Sequence, residues 1–199
     1  APLAEIWKIS GNRKYKECAE KNLDWIINKK QKANGWFHDC DNTVKRNDKP
    51  ILHTIAYTID GLIDCGECFQ NNGYISAAEK TAEVLRDKFN EQAYLNGRYD
   101  ENWNGSEYIL TTGCAQMAIN WMKLYALKGN RDDKYAADKM INLLIFILDR
   151  GDHDTVDTKG ALQGSFPAWG KYEPFAFPNW GTKYLLDALL MNKKLQDGK

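Results

Sequence analysis

An internal repeat constrains the fold of this chain more than any other feature of its sequence. The segment WKISGNRKY (7–15) recurs as YALKGNRDDKY (125–135), with the shared glycines 118 positions apart. A degenerate copy, GECFQNNGY (66–74), lies between them, so that Tyr15, Tyr74 and Tyr135 are 59 and 61 positions apart. Self-similarity at this period is typical of proteins built from repeated supersecondary units.

Each repeat unit is predicted to contain a pair of helices. Apolar residues follow the 3.6-residue spacing of a helix over 15–30, 74–89 and 135–150, and each of these helices runs into a glycine–aromatic turn. A second helix is predicted after each turn, over 52–69, 112–127 and 179–195. No stretch alternates with period two, so no sheet is expected. Helix pairs must stack to bury their apolar faces, which predicts an all-α solenoid or α/α toroid.

The repeats divide the chain into units of about 1–70, 71–128 and 129–199, which form one domain of about three and a half hairpins. Residues 2–9 have the pattern of the end of an inner helix. A closed toroid needs more helix pairs than these, so we expect a fragment, a processed chain or an open crescent. Self-association and a missing N-terminal half stay open as alternatives.

Charge balance, the length of apolar runs and the cysteine count limit the partners and the location that we expect for this chain. Lys+Arg and Asp+Glu both number 27, so no global field attracts nucleic acid or an anionic membrane. The longest apolar run, 141–148, is too short to cross a bilayer. Five cysteines, an odd number, favour a reducing compartment and predict a cytoplasmic protein.

The second helix of each unit carries a polar stripe on an otherwise apolar rod. Spacings of three and four residues place the members of each stripe on one helical face. The stripes are His53, Tyr57, Asp60 and Asp64; Thr112, Gln116 and Asn120; and Asn179, Lys183 and Asp187. Three such rows pointing the same way would line a wet central cleft. The alternative is that the polar groups satisfy one another across helix contacts.

Aromatic residues crowd the long loops beside this cleft. They are Trp36, Phe37, Tyr99, Trp103, Trp169, Tyr172, Phe175 and Trp180. Flat rings provide stacking surfaces for sugars. Hydroxyl or carboxylate groups would be bound by Arg98, Asp100 and Glu101, or by Asp39 and Asp41. The alternative is that the rings cover helix ends as hydrophobic caps.

Candidate residues for proton transfer follow from their positions on the predicted helices and loops. His53 is predicted at a helix N-terminus, where the macrodipole lowers the pKa of an imidazole and favours the neutral base. Tyr57 lies one turn further on, and Asp100 lies in the next loop. A histidine with a tyrosine suits abstraction of a proton beside a carboxylate, as in uronate lyases and epimerases. A carboxylate pair such as Asp39 and Asp100 would instead suit glycoside hydrolysis. The structural alternative for His53 is that a lone histidine at a helix start is commonly a cap or a packing residue.

No metal and no cofactor are predicted. Cys65 and Cys68 lie one turn apart on a helix, with His38 and Cys40 elsewhere, and no second motif completes a zinc site. His153 belongs to a polar loop that we expect to be solvated. No phosphate-binding glycine loop and no nucleic-acid motif is present in the sequence.

Three segments carry a resemblance to a known family: PILHTIAYTIDGL (50–62), TGCAQMA (112–118), and GALQGSFPAWGKY (160–172) with FPNW (177–180). The chain resembles the C-terminal half of an uncharacterised bacterial and archaeal family with the α/α-toroid fold of prenyltransferase and terpenoid-cyclase-like proteins. Its members are often encoded near polysaccharide-assembly genes. The resemblance implies a toroid of about seven helix pairs when complete and a saccharide connection. It supplies no reaction.

The leading hypothesis is a carbohydrate-active or carbohydrate-binding protein that acts on an acidic or amino-sugar polysaccharide as a lyase, epimerase or hydrolase. His53, Tyr57 and Asp100 are the candidate catalytic residues. The candidate substrate-binding residues are Trp36, Arg98, Trp103, Gln116, Trp169, Tyr172 and Trp180. The rival is a non-catalytic helical scaffold that binds a partner protein. An isoprenoid-binding toroid would need an aromatic cleft without polar stripes.

Overall fold

The computed structural model describes residues 1–42, 48–106, 108–150 and 156–198. The loop that contains His153 lies outside these residues. Within them the chain forms seven α-helices and one pair of very short strands. The elements are α1 (Pro2–Ser10), α2 (Arg13–Trp25, continued as a π-helical turn over Ile26–Lys30), α3 (Leu52–Phe69), α4 (Asn72–Gln92), β1 (Ile109–Leu110), α5 (Thr111–Lys128), α6 (Arg131–Asp149), β2 (Ser165–Phe166) and α7 (Asn179–Gln196).

The helices form two layers. Helices α1, α3, α5 and α7 contact one another in that order and make the inner layer. Helices α2, α4 and α6 each pack on the inner helix that precedes them, and α4 also contacts α6. The three and a half predicted hairpins are therefore observed: α1 with α2, α3 with α4, α5 with α6, and α7 alone. The helix positions predicted from apolar spacing are confirmed.

The short connections between inner and outer helices share one geometry. Gly11, Gln70 and Gly129 end α1, α3 and α5 in the left-handed backbone region, with φ of 66°, 55° and 75°. An asparagine follows each of them and caps the next helix by accepting a backbone N–H two residues on. In the degenerate middle copy Gln70 thus occupies the place of the glycine. The caps are Asn12, Asn71 and Asn130.

A buried aromatic pair joins α4 to α5 within the core. Trp121 is fully buried, and its ring stacks on Phe89 at a centroid distance of 5.8 Å. Its Nε1 donates a hydrogen bond of 3.0 Å to the carbonyl oxygen of Ala82. Because the polar edge of the indole is satisfied, the whole ring is buried without leaving an unpaired donor. This contact fixes α5 against the outer layer.

The long loops lie together at one end of the molecule and pair with one another. β1 pairs with β2 in antiparallel register, Ile109 opposite Phe166, and an isolated bridge joins Ile51 to Arg98. The expectation of no sheet is therefore wrong in this detail. Two-residue strands are too short to show an alternating pattern in the sequence, and their pairing depends on how the helices bring the loops together. None of the helices within the described residues is long and apolar enough to span a membrane.

Candidate functional site

The three predicted polar stripes meet in one cavity. Asp60 of α3, Gln116 and Asn120 of α5, and Lys183 and Asp187 of α7 line a cavity of about 290 Å³, which we call the inner cavity. Its remaining walls are Ile119, Lys123, Tyr184 and Met191. The prediction that the stripes face a shared cleft is confirmed for these five residues, whereas Thr112 and Asn179 do not line it, and Asp60 alone represents the first stripe. Polar walls of this kind do not fit the isoprenoid-binding alternative.

Most polar groups of the inner cavity also bind one another. Lys123 donates to Asp60 at 2.7 Å and also pairs with Asp64. Lys183 pairs with Asp187 at 2.6 Å within α7. Burial raises the pKa of Asp60, and the charge of Asp64 raises it further, while Lys123 opposes both effects. The two interpretations of the stripes thus both hold, because the cleft exists and its charges are largely compensated.

His53 lies beside the inner cavity, because it contacts Gln116, which lines that cavity. It is the second residue of α3 and is half-buried. Its Nδ1 lies 3.0 Å from Oε1 of Gln116, a residue that is 4% exposed. Since Oε1 only accepts, Nδ1 carries the proton and Nε2 keeps its lone pair. Burial lowers the pKa of His53, partly offset by the bond to Gln116, so the ring is a neutral base.

Gln116 reaches His53 because α5 approaches the start of α3 very closely. A Cβ atom added at Gly113 would lie 2.8 Å from Cγ of Leu52 and 3.0 Å from the backbone nitrogen of His53. Real side chains do not tolerate such distances, so a glycine is required at this point of contact. Gln116 was expected to bind substrate. In the structure it orients the imidazole.

Two tyrosines surround the imidazole. The ring of Tyr57 is 4.6 Å from that of His53, edge to face, and the ring of Tyr172 is 6.4 Å away. Tyr57 accepts a 2.7 Å hydrogen bond from the hydroxyl of Tyr184. Burial and this bond raise the pKa of Tyr57 to about 12, so that its phenol keeps its proton. His53, Tyr57, Gln116 and Tyr172 are therefore brought together as predicted.

Of the predicted tryptophans, Trp169 and Trp180 are open to solvent. Trp180 lies in the first turn of α7, is 41% exposed, and donates through Nε1 to the hydroxyl of Tyr172 at 3.1 Å. Trp169 is 64% exposed in the loop that follows β2. Both rings are therefore available for stacking.

Trp36 and Trp103 are instead core residues, which corrects their predicted role as sugar platforms. They are 2% and 6% exposed. Nε1 of Trp36 donates to the carbonyl oxygen of Tyr99 at 3.0 Å, and Nε1 of Trp103 donates to that of Asn34 at 3.1 Å. Both rings join the first long loop to the second. Sequence alone does not distinguish them from the exposed pair, because each of the four tryptophans has a glycine within two residues along the chain.

Asp100 and Arg98 also have structural partners. Asp100 accepts hydrogen bonds from the backbone of Asn102 and Asn104, and these bonds lower its pKa against the effect of burial. It lies in a cavity with Trp36 and His38, whereas His53 contacts residues of other cavities. The predicted catalytic role of Asp100 beside His53 is thus not supported. Arg98 donates to Asp41 at 2.6 Å and to the carbonyl oxygen of Lys49.

A second and larger cavity lies among the long loops. It has a volume of about 690 Å³, and we call it the loop cavity. Its polar and charged walls are Lys49, Arg98, Ser106, Tyr108, Ser165, Lys171 and Tyr172, and glycine and isoleucine or leucine residues complete it. Tyr172 belongs both to this cavity and to the surroundings of His53. The two regions are therefore adjacent.

Three important residues were not among the predicted ones. Tyr184 binds Tyr57, Lys123 compensates Asp60 and Asp64, and Lys171 lines the loop cavity. A signal for Tyr184 exists, since Trp180, Tyr184 and Asp187 also follow helical spacing on α7. Lys123 has a comparable signal, because it extends the stripe of Gln116 and Asn120 by one more helical step. Lys171 has none, because it lies in a loop.

The five cysteines are scattered over the part of the chain that the structure describes and form no cluster with other ligand types there. All five are free thiols, and Cys68 contacts the carbonyl oxygen of Ala4. Among residues 1–42, 48–106, 108–150 and 156–198, no three His, Cys, Asp or Glu side chains converge as metal ligands would.

Comparison with solved structures identifies the architecture. Unsaturated glucuronyl hydrolase from Bacillus sp. GL1 superposes with a TM-score of 0.71 at 16% identity, over 98% of this chain and 56% of that one. Cellobiose 2-epimerase from Spirochaeta thermophila gives 0.71 at 10% identity, over 98% and 50%. The fold is that of a partial α/α toroid.

A third match agrees, and the other comparisons found nothing. An α-mannanase from Bacteroides thetaiotaomicron superposes with a TM-score of 0.71 at 13% identity, over 99% of this chain and 50% of that one. The chain thus spans about half the length of the structures it matches. No family model and no curated protein sequence matches it. At these identities the likeness concerns the fold.

Proposed function

We propose that this chain forms part of a carbohydrate-active protein whose site lies at the N-terminal ends of α3, α5 and α7. His53 is the base, and Tyr57 is the proton donor. The observation that carries the proposal is the hydrogen bond between Nδ1 of His53 and buried Gln116, which leaves the Nε2 lone pair on a neutral ring. Exposed Trp169 and Trp180 supply stacking surfaces for sugar rings.

The chemistry that fits this pair is proton transfer at a carbon beside a carbonyl or carboxylate group. Nε2 takes the proton, and the phenol of Tyr57, with a pKa of about 12, returns one to carbon or to a leaving oxygen. These are the steps of an epimerase or a lyase. The carboxylate pair Asp39 and Asp100 does not suit hydrolysis, because one of the two would have to stay protonated, whereas the pKa values of both are lowered.

The fold supports a saccharide as the partner. The matched α/α toroids include a glucuronyl hydrolase, a mannanase and a cellobiose epimerase, so several sugar chemistries occur on this architecture. We extend the saccharide connection to this chain as a proposal, together with membership of the polysaccharide-associated toroid family. The five free thiols are in keeping with a reducing, cytoplasmic location.

The test is deuterium exchange into saccharides in D₂O, with aldose oligosaccharides and oligouronides as substrates. We expect deuterium at the carbon beside the carbonyl or carboxylate, or the ultraviolet absorbance of an unsaturated sugar. His53→Gln should abolish the signal. Lys194→Gln, an exposed change at the far end of α7, should leave it unchanged. A signal that persists in His53→Gln would refute the assignment of the base.

A non-catalytic scaffold is the second candidate, and one observation favours it. Ile9 of α1 is 86% exposed, and Leu186 and Leu190 of α7 are 54% and 52% exposed. Apolar faces on the first and last inner helices are typical of surfaces that dock other helices. Sedimentation velocity over a range of concentrations tests this. A monomer at all concentrations, with Leu186→Gln unchanged in behaviour, would oppose the scaffold hypothesis.

A further inference from the structure

The charges that line the loop cavity have one sign. Of the described residues that line it, Lys49, Arg98 and Lys171 are cationic, and none is acidic. Asp41 offsets the charge of Arg98 at 2.6 Å, and Asp100 lies 4.0 Å from Lys49. Lys171 is exposed and has no ionic partner within the described parts of the chain. The cavity therefore keeps an uncompensated positive charge.

The N-terminal ends of two helices add to the positive electrostatic potential of the loop cavity. Ile51 and Leu110, which precede the first turns of α3 and α5, both line the cavity. Neither helix has a side-chain cap at its N-terminus. Each helix is 18 residues long, so the positive ends of two full macrodipoles border the cavity. An anionic group is favoured there by the fixed dipoles as well as by Lys171.

The neutral walls of the loop cavity suit a sugar rather than a small inorganic anion. Tyr108 and Tyr172 provide ring faces, and Ser106 and Ser165 provide hydroxyl groups. A volume of about 690 Å³ lies within the range of ligand pockets, roughly 300–1,000 Å³. The ring of Tyr172, which lines this cavity, lies 6.4 Å from that of His53, so the loop cavity is adjacent to the base.

We propose that the loop cavity is a subsite for a carboxylate-bearing sugar, and that the substrate class of this protein is an oligouronide. Lys171 and Arg98 contact the carboxylate, and Tyr172 separates this sugar from the one at His53. The inference rests on the proposed function and adds to it the charge of the substrate.

The experiment compares two oligosaccharides that differ only at C6, which is a carboxylate in one and a hydroxymethyl group in the other. Calorimetric titration uses a β-1,4-linked oligoglucuronate and the cello-oligosaccharide of equal length. We expect the oligoglucuronate to bind about tenfold more tightly, as charge-assisted hydrogen bonds would give, and its affinity to fall with added salt. Lys171→Gln should weaken oligoglucuronate binding about threefold to tenfold and leave cello-oligosaccharide binding unchanged. Lys194→Gln is the matched lysine control.

The outcomes separate the two proposals. Equal affinity for the two sugars, or no effect of Lys171→Gln on the oligoglucuronate, overturns the uronate subsite and leaves the saccharide site intact. Binding of neither sugar overturns both. Preference for the oligoglucuronate with a loss confined to Lys171→Gln supports the subsite, even if no exchange at carbon is detected and His53 proves not to be a base.

Discussion

Nδ1 of His53 and Oε1 of Gln116 lie 3.0 Å apart and join the second residue of α3 to the second turn of α5. The bond couples the position of the imidazole to the packing of two inner helices. Because Gln116 is 4% exposed, the amide is held by its surroundings, and the ring cannot turn without losing its partner. The geometry of the base is therefore a property of the helix layer rather than of a loop.

Replacing Gln116 should change the pKa of His53 in a direction set by the new side chain. Burial lowers this pKa, and the bond to Gln116 raises it. Gln116→Glu should raise the pKa because a carboxylate stabilises the imidazolium, and Gln116→Leu should lower it. NMR titration of the imidazole Cε1–H measures both, with His53→Gln to assign the signal. Identical titrations in all three proteins would show that the bond does not form in solution.

Gly113 should not accept a side chain. An alanine in a helix normally stabilises by roughly 0.5–1 kcal/mol relative to glycine. At Gly113 the added Cβ meets Leu52 and the backbone of His53 at 2.8 and 3.0 Å, and such overpacking costs about 1–3 kcal/mol. The clash involves backbone and outweighs the gain, so Gly113→Ala should lower the free energy of unfolding.

Gly61 offers the matched control within α3, since nothing lies within 4 Å of its added Cβ. Gly61→Ala should raise the free energy of unfolding in urea by roughly 0.5–1 kcal/mol. A stabilising Gly113→Ala, equal to Gly61→Ala, would contradict the close approach of α5 to α3. The same sample of Gly113→Ala should also show an altered His53 titration.

Trp103 and Trp169 should respond oppositely to alanine substitution. Trp103 is buried and bonded to Asn34, so Trp103→Ala should cost about 3–5 kcal/mol of folding stability. Trp169 is 64% exposed, so Trp169→Ala should change stability by less than about 0.5 kcal/mol while weakening sugar binding. Urea denaturation and calorimetric titration of both variants provide the readouts. Strong destabilisation by Trp169→Ala would place that ring in the core.

The helix layers and the shared cleft could be predicted because both follow from local periodicity. Apolar spacing located the seven helices, and polar residues spaced by three and four placed His53, Gln116 and Lys183 on facing edges. The roles of individual side chains could not be predicted in this way. Trp36 and Trp169 occupy similar glycine-rich turns, and only the packing of one loop on another buries the first and exposes the second.

Contacts between distant loops explain the remaining differences. β1 and β2 are two residues each. Their pairing accompanies the close approach of the start of α7 to that of α5, where a Cβ atom added at Gly181 would lie 3.3 Å from Oγ1 of Thr112. Asp100 carries the carboxylate that a catalytic acid or base needs, yet its oxygens accept hydrogen bonds from the backbone of the loop that follows it. The division of the chain at about 70 and 128 stays a prediction, because helix packing alone does not mark where one repeat ends.

Lys123 should be essential for stability because it separates two carboxylates. Asp60 and Asp64 lie one turn apart on α3, and both bind Nζ of Lys123. Lys123→Met would leave two partly buried like charges facing each other, and this should cost about 1–3 kcal/mol at pH 7. Lys128→Met, which removes the exposed pair with Glu79, should cost less than about 1 kcal/mol.

The pH dependence of the stability lost in Lys123→Met tests the role of Lys123 more sharply than the size of that loss. The pKa of Asp60 is already raised in the folded protein, and loss of Lys123 removes an influence that lowers it. A group with a raised folded pKa binds its proton more tightly when folded, so its destabilising effect is relieved as the pH falls through that pKa. The stability difference between Lys123→Met and the wild type should therefore shrink from pH 7 to pH 5. In Lys128→Met the difference should stay small throughout. A deficit in Lys123→Met that does not change with pH would show that lost packing of the lysine chain, and not repulsion between Asp60 and Asp64, is its cause.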